Sequence, residues 1–238
     1  DGQIVVDTQI KQVVRLILNG VDIHNTTGAA ISIVKAEKVV IVLADHTENT
    51  ITDGQNYTFA DPSVDEPNAA IFSKADLTRY GNGSLTVNAN YNDGIASKDG
   101  LIIAGGNITI NAIDDGIRGK DYLVVEDGNI TVTAGGDGLK SDNDVDTTKG
   151  FITIQKGTFD ITSAGDAIQA QTTVSISDGT FKITTGGGSQ ASLDASASAK
   201  AIKGTAGVTI DGGAFTINSV DDAIHTNGTM VINAGSYE

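Results

Sequence analysis

The sequence predicts an all-β protein, a single-stranded parallel β-helix in which each coil has about three short strands. Three observations support this. The 238 residues include 29 glycines and only two prolines, and apolar residues recur at every second position, without a sustained helical period. A glycine-anchored unit of 22 or 23 residues repeats from residue 81 onward. Each unit supplies three apolar points that can face a common core, so stacked units form a solenoid.

Composition argues against several classes of function. The formal net charge of -15 disfavours nucleic acid and anionic membranes as partners, because both would repel the chain. No apolar run is long enough for a transmembrane helix. There is no cysteine, so no disulfide stabilises the fold. The chain opens without the basic and apolar regions of a signal peptide, and we expect that any such peptide has been removed or lies outside this sequence.

Residues 1–80 are predicted to form the less regular coils. Short strands are expected at the apolar runs 15–18, 30–33, 38–43 and 70–72. The polar stretch 52–68 contains both prolines and is expected to be a loop between strands.

The regular coils of residues 81–238 are anchored by a glycine that precedes an alternating strand. The anchors are Gly83, Gly106, Gly128, Gly157, Gly179, Gly213 and Gly235. Successive anchors are 23, 22, 29, 22, 34 and 22 residues apart, so the two long intervals contain insertions, near 142–148 and near 186–199. We expect one domain over residues 1–238.

Three apolar positions in each unit are predicted to line the core. Two lie on the strands that flank the anchor, and the third follows an acidic corner. This third set is Ile95, Ile117, Leu139, Ile168, Ile202 and Ile224. Phe159, Phe181 and Phe215 share one position, so their rings should stack about 4.8 Å apart. The corner glycine, as at Gly94, is expected to permit a tight turn.

The acidic corner is the candidate functional feature. Stacking the units should align four carboxylates in one column, those of Asp93, Asp115, Asp137 and Asp166. Lys200 interrupts this column before Asp222, and Asp114 and Asp221 lie beside it. Two carboxylates about 5 Å apart repel by roughly 3 kcal/mol at an effective dielectric constant near 20. Protonation, pairing with Lys or Arg, or a bound hard cation such as Ca²⁺ could offset this repulsion.

The first insertion adds further carboxylates. Asp142, Asp144 and Asp146 occupy alternate positions, as in the first half of an EF-hand loop, but Thr147 and Thr153 stand where that loop needs glycine and glutamate. One interpretation is a calcium site, and the other is a solvated, salt-bridged acidic face. The candidate metal ligands are Asp93, Asp114, Asp115, Asp137, Asp142, Asp144 and Asp146.

A row of cations accompanies the predicted column. Arg118, Lys140 and Lys203, with Gln169 and His225 at the equivalent positions, directly follow the inward aliphatic residues. These cations either balance charge between neighbouring coils or bind, together with calcium, the carboxylates of an acidic sugar polymer. The candidate substrate-binding residues are Lys98, Arg118, Lys120, Lys140, Tyr91 and Tyr122. The two tyrosines either stack on sugar faces or are partly buried turn residues.

Four segments carry a resemblance to a known family: EPNAAIFSKADLT at 66–78, GNGSLTV at 81–87, NDGIASKD at 92–99 and DDGIRGKD at 114–121. Together they resemble a family of secreted bacterial carbohydrate-binding proteins, similar in fold to the β-helical pectate lyases. The resemblance implies a right-handed parallel β-helix, bound calcium, and binding of cellulose and of acidic sugars such as polygalacturonate, without established cleavage. It also implies an extracellular or cell-surface location.

The resemblance also suggests how the site residues are used. The acidic cluster of the related lyases corresponds by position to Asp93, Asp114, Asp115 and Asp137. Lys140 or Lys120 is the nearest candidate for the basic residue of a lyase. The first hypothesis is a non-catalytic, calcium-containing protein that binds plant cell-wall polysaccharides. The second is a calcium-dependent pectate or polysaccharide lyase, and the third is a structural or adhesive spacer.

Overall fold

The computed structural model describes residues 1–59, 61, 63–194 and 196–238, and it is all-β. The strands in chain order are β1 (Ile4–Asp7), β2 (Val13–Leu18), β3 (Asp22–His24), β4 (Ile31–Lys35), β5 (Lys38–Leu43), β6 (Glu48–Thr52), β7 (Ala69–Ser73), β8 (Asp76–Tyr80), β9 (Ser84–Ala89), β10 (Asp93–Ser97), β11 (Gly100–Ala112), β12 (Ile117–Gly119), β13 (Tyr122–Ala134), β14 (Leu139–Ser141), β15 (Phe151–Ile154), β16 (Thr158–Ser163), β17 (Ile168–Ala170), β18 (Thr173–Ile176), β19 (Thr180–Thr185), β20 (Ile202–Gly204), β21 (Gly207–Ile210), β22 (Ala214–Ser219), β23 (Ile224–His225), β24 (Thr229–Ile232) and β25 (Ser236–Tyr237). Among these residues no helix is long and apolar enough to cross a membrane.

The strands stack in parallel as a β-helix with three faces. Face one is a nine-stranded sheet in the order β1-β4-β7-β10-β12-β14-β17-β20-β23. Face two follows the order β2-β5-β8-β11-β13-β15-β18-β21-β24. Face three contains β3, β6, β9, the second halves of β11 and β13, β16, β19, β22 and β25. Faces two and three belong to one sheet because β11 and β13 run through both, and the predicted three strands per coil are confirmed.

Register along face one follows the predicted inward ladder. Ile95 pairs with Ile117, which pairs with Leu139, and Leu139 pairs with Ile168. The ladder also extends upstream through Ile71 and Ile31, so the coils of residues 1–80 stack in the same way. Burying one aliphatic side chain per coil at the same position keeps the register, because a shift by one residue would expose the whole set.

Face three carries the aromatic ladder that the sequence predicts. The ring centroids of Phe159 and Phe181 are 4.7 Å apart, and those of Phe181 and Phe215 are 4.6 Å apart. Tyr237 extends the stack at 5.0 Å. The anchor glycine before each of these strands has a positive φ, for example 139° at Gly157, so a side chain there would be strained.

The corner glycines differ from the prediction. Gly94 is not among the glycines with positive φ, so its backbone does not require glycine for a tight turn. A Cβ at Gly94 would instead lie 2.5 Å from the carbonyl oxygen of Gly116 and 2.5 Å from Cγ2 of Ile110. Close approach of the next coil and of the core therefore explains this glycine.

Three long segments leave the coils where loops were predicted. They follow β6, β14 and β19. The loop after β6 returns over face one, because its Glu66 forms ion pairs with Lys74 and Lys98 and its Tyr57 hydroxyl donates to the carbonyl of Ala69. This loop therefore lies beside the start of the acidic column.

Candidate functional site

The acidic column forms at the edge of face one where the strands begin. The inward ladder sets its register, since each carboxylate lies two residues before an inward aliphatic residue. Its residues are Asp93, Asp115, Asp137 and Asp166, and Lys200 takes the next position. Three of the four aspartates are fully buried, at 1 to 3% exposure for Asp93, Asp115 and Asp166. Carboxylates this buried need partners.

Backbone amides are some of the hydrogen-bond partners of these buried carboxylates. Oδ1 of Asp115 accepts a hydrogen bond from the amide of Asp137 at 2.9 Å, and Oδ1 of Asp137 accepts one from the amide of Asp166 at 2.8 Å. Oδ1 of Asp166 accepts one from the amide of Lys200 at 2.7 Å. Each carboxylate thus bonds to the column residue of the next coil, an arrangement that the sequence reasoning missed. The sequence does contain a signal for this arrangement. Aspartates recur at strand starts, where backbone amides lack a partner in the sheet and an aspartate side chain can accept their hydrogen bonds.

The cation row neutralises most of the column. Nζ of Lys140 lies 2.9 Å from Oδ2 of both Asp115 and Asp137. Lys203 pairs in the same way with Asp166 at 2.9 Å. Burial alone would lower the pKa of Lys140, but the two carboxylates outweigh it and raise the pKa above its usual range. Of the two interpretations of this row, charge balance between coils is the one these contacts support.

A group of three carboxylates lies at the start of the column, and one of them, Asp115, is also paired with Lys140. Oxygens of Asp93, Asp114 and Asp115 all lie within 4.8 Å of one another, and Asp114 is the least buried of the three. Burial and, to a smaller extent, the charge of Asp115 raise the pKa of Asp93 to about 7, against the opposing effect of Arg118. Arg118 is a weak partner here, 3.6 Å from Asp93 but 2.6 Å from Asp142. Asp93 is therefore buried without full compensation.

Two further features fit a cation at this group. The buried Oδ1 of Asn68 has no hydrogen-bond partner, while its Nδ2 lies 3.5 Å from Oδ2 of Asp93. A Cβ at Gly136 would collide with Oδ1 of both Asp114 and Asp115, so only glycine leaves room for these carboxylates. Carboxylate and amide oxygens are the ligands that hard divalent cations take. The sequence reasoning missed Asn68, which lies in the loop that crosses face one.

The other candidate ligands lie elsewhere. Asp137 is held by Lys140, and Asp142 by Arg118. Asp146 accepts hydrogen bonds from the amide and hydroxyl of Thr148 within its own loop. Asp144 is exposed. The insertion thus does not contribute carboxylates to the group of three within the described residues.

The remaining predicted binding residues are dispersed around face one. Lys98 pairs with Glu66 at 2.5 Å, whereas Lys120 makes no ion pair among the described residues. Tyr91 stacks on Tyr57 of the crossing loop, with ring centroids 4.1 Å apart.

Tyr122 is covered on both sides. A Cβ at Gly100 would collide with the Tyr122 ring, and Phe151 stacks on it at 5.6 Å. Tyr122 therefore has no free ring face for a sugar.

Comparisons with known proteins agree with this fold. A family described as carbohydrate-binding domain-containing protein matches residues 1–238. A protein of that description from Acetivibrio thermocellus is 52% identical over 112 residues, which span 47% of this chain and only 39% of that protein. A solved structure of a polysaccharide lyase-like protein from C. thermocellum, a gadolinium derivative, is 37% identical with a TM-score of 0.76 and covers 99% of this chain and 83% of its own. Because the family match extends over the whole sequence, the chain belongs to the carbohydrate-binding domain-containing proteins.

Proposed function

We propose that the chain is a non-catalytic, calcium-binding protein that recognises plant cell-wall polysaccharides, both cellulose and acidic sugars such as polygalacturonate. We also propose that it acts outside the cell or at the cell surface. The observation that carries the calcium part is the group of Asp93, Asp114 and Asp115 with the unpartnered amide oxygen of Asn68 beside it.

Charge explains why a cation belongs there. Three carboxylates within 4.8 Å repel one another, and the raised pKa of Asp93 reports that repulsion together with burial. Ca²⁺ takes six to eight oxygen ligands, more than these four side chains supply singly, so positions remain for water or a uronate carboxylate.

A polysaccharide lyase is the second candidate, and the similar fold of the polysaccharide lyase-like protein motivates it. Such a reaction needs a base that removes the proton at C5 of a uronate. Lys140 suits this role poorly, since its raised pKa keeps it protonated between two carboxylates. Lys120 is the better candidate base because no ion pair holds it among the described residues. Unsaturated, ultraviolet-absorbing products formed from pectate and calcium, and lost in Lys120→Ala, would establish the lyase.

Calorimetric titration tests the main proposal. Calcium-stripped protein should bind calcium, and a galacturonate oligomer should bind more tightly with calcium than without it. Asp114→Ala should weaken both and, because Asp114 is the least buried of the three, should leave the fold intact. Asp160→Asn, on face three, is the matched control and should behave as the unchanged protein. Absence of calcium binding, or equal polymer binding with and without calcium, would overturn the calcium proposal.

A further inference from the structure

The first insertion builds a cavity outside the acidic column. The segment between β14 and β15 and the strand β18 border a half-open cavity of about 340 Å³. Its walls include Asn143, Asp144, Thr147, Phe151, Gln171 and Thr173. The volume lies within the range of sites that take small ligands.

Phe151 gives the cavity an aromatic wall. The ring stacks on Tyr122 of the preceding coil, with an angle of 16° between the ring planes. The same position in the next coil is Thr173, because Ile152 pairs with Val174. The row of aromatic residues therefore ends at Phe151, whose side chain lines the cavity together with Thr173. Tyr122 covers one face of the Phe151 ring, which leaves the opposite face for a ligand. An aromatic face of this kind packs against the C–H face of a sugar ring.

Polar side chains without a hydrogen-bond partner in the described part of the chain line the same cavity as the Phe151 ring. The side chains of Asp144, Thr147, Gln171 and Thr173 make no hydrogen bond or ion pair within the part of the chain that the structure describes. Neighbouring side chains are already used, as Asn143 donates to Asp121 and Thr172 donates to the carbonyl of Lys149. A carboxylate, an amide and two hydroxyls beside an aromatic ring match the hydroxyl groups of a sugar.

Charge selects the kind of sugar. Asp144 is an exposed carboxylate, and Lys149, the one cation in residues 142–150, is held by Asp121 at 2.7 Å. The cavity thus keeps an uncompensated negative charge, which would repel a uronate. Building on the proposed carbohydrate binding, we propose that this cavity binds one uncharged hexose ring of a polysaccharide, on the stacking face of Phe151, separately from the acidic column.

Titration calorimetry with two probes tests this assignment. Cellohexaose is the uncharged probe, and a hexamer of galacturonate with calcium is the acidic one. Phe151→Leu and Asp144→Ala should each weaken cellohexaose binding on the order of tenfold, the effect of losing one stacking or charge-assisted contact. Both should leave galacturonate binding unchanged. Asp7→Ala, another exposed carboxylate without a described partner, is the matched control and should alter neither.

The possible outcomes separate this inference from the proposed function. Thermal melting first establishes that the variants are folded, and Asp144→Ala serves if Phe151→Leu is not. Unchanged cellohexaose affinity in both variants would overturn the cavity assignment. A parallel loss of both probes would overturn the separation of the sites. If the unaltered protein binds galacturonate but not cellohexaose, the cavity assignment fails while the acidic site stands.

Discussion

Face one and face three share the same coil repeat, but the ion pairs of face one are largely buried and those of face three are exposed. On face one, Lys140 lies 2.9 Å from two carboxylates whose side chains are only 5% and 16% exposed. On face three, Lys182 lies 2.9 Å from Asp160, but these side chains are 69% and 48% exposed. Identical distances therefore represent different interaction energies, because solvent screens the second pair much more than the first.

Other polar side chains of face three pair with one another through uncharged hydrogen bonds. Asn111 donates to Asn88 at 3.0 Å, and Asn129 donates to Asn107 at 2.8 Å, so side chains of successive coils pair along the solenoid. Face one holds its charges in a partly desolvated row, where an incoming ion or polymer can change their balance. Stacked coils thus provide regular spacing, and burial decides which face can carry chemistry.

The largest expected effect comes from removing the shared ammonium of face one. Lys140→Met in calcium-free buffer should cost about 2–3 kcal/mol of unfolding free energy, somewhat less than a fully buried pair because the Lys140 side chain is one-quarter exposed. Lys182→Met should cost about 1 kcal/mol or less. Urea unfolding of both variants measures the difference. Equal losses would mean that burial does not distinguish the two faces.

The pH dependence of stability should also come from face one. The pKa of Asp93 is raised from 3.8 to about 7 in the folded protein, so between these values the folded state holds a proton that the unfolded chain has released. Stability from this group is therefore greatest below about pH 4 and falls as the pH rises to about 7. Calcium-free urea unfolding across this range should show a smaller fall in Asp93→Asn. The same slope in both proteins would contradict the assignment.

The smallest effect should come from face three. Asn129→Ala removes one exposed amide from a self-paired row, and it should change the unfolding free energy by no more than about 0.5 kcal/mol. Thermal melting is sensitive enough to test this. A loss comparable with that of Lys140→Met would indicate that the amide row is a structural element in its own right.

Much of the candidate site follows from the repeat. The spacing of Ile95, Ile117 and Leu139 determines the register, and the register places Asp93 above Asp115 and Asp115 above Asp137. The insertions and the phenylalanine stack also lie where the intervals predict them. Periodic side chains can be read in this way because each coil repeats the same contacts.

Residues outside the period were harder to interpret. Arg79 pairs in register with Ile41 and Ile103 at an inward position and is 2% exposed. Its Nη1 donates to the carbonyl of Gly81, while its other guanidinium nitrogens have no hydrogen-bond partner among the described residues. Burial lowers its pKa to about 10. The alternation of Leu77 and Arg79 was the signal that an arginine faces the core.

The sequence by itself determined the solenoid, its three faces and the acidic column, because a repeated pattern of burial leaves one register that hides every apolar side chain. Only the tertiary structure decided which carboxylates stay uncompensated. That outcome depends on the paths of the loop after β6, which brings Asn68 to Asp93, and of the insertion after β14, which directs Asp142 to Arg118. Such contacts join distant residues without a period, so the balance of charge at Asp93 becomes visible only when the chain is folded.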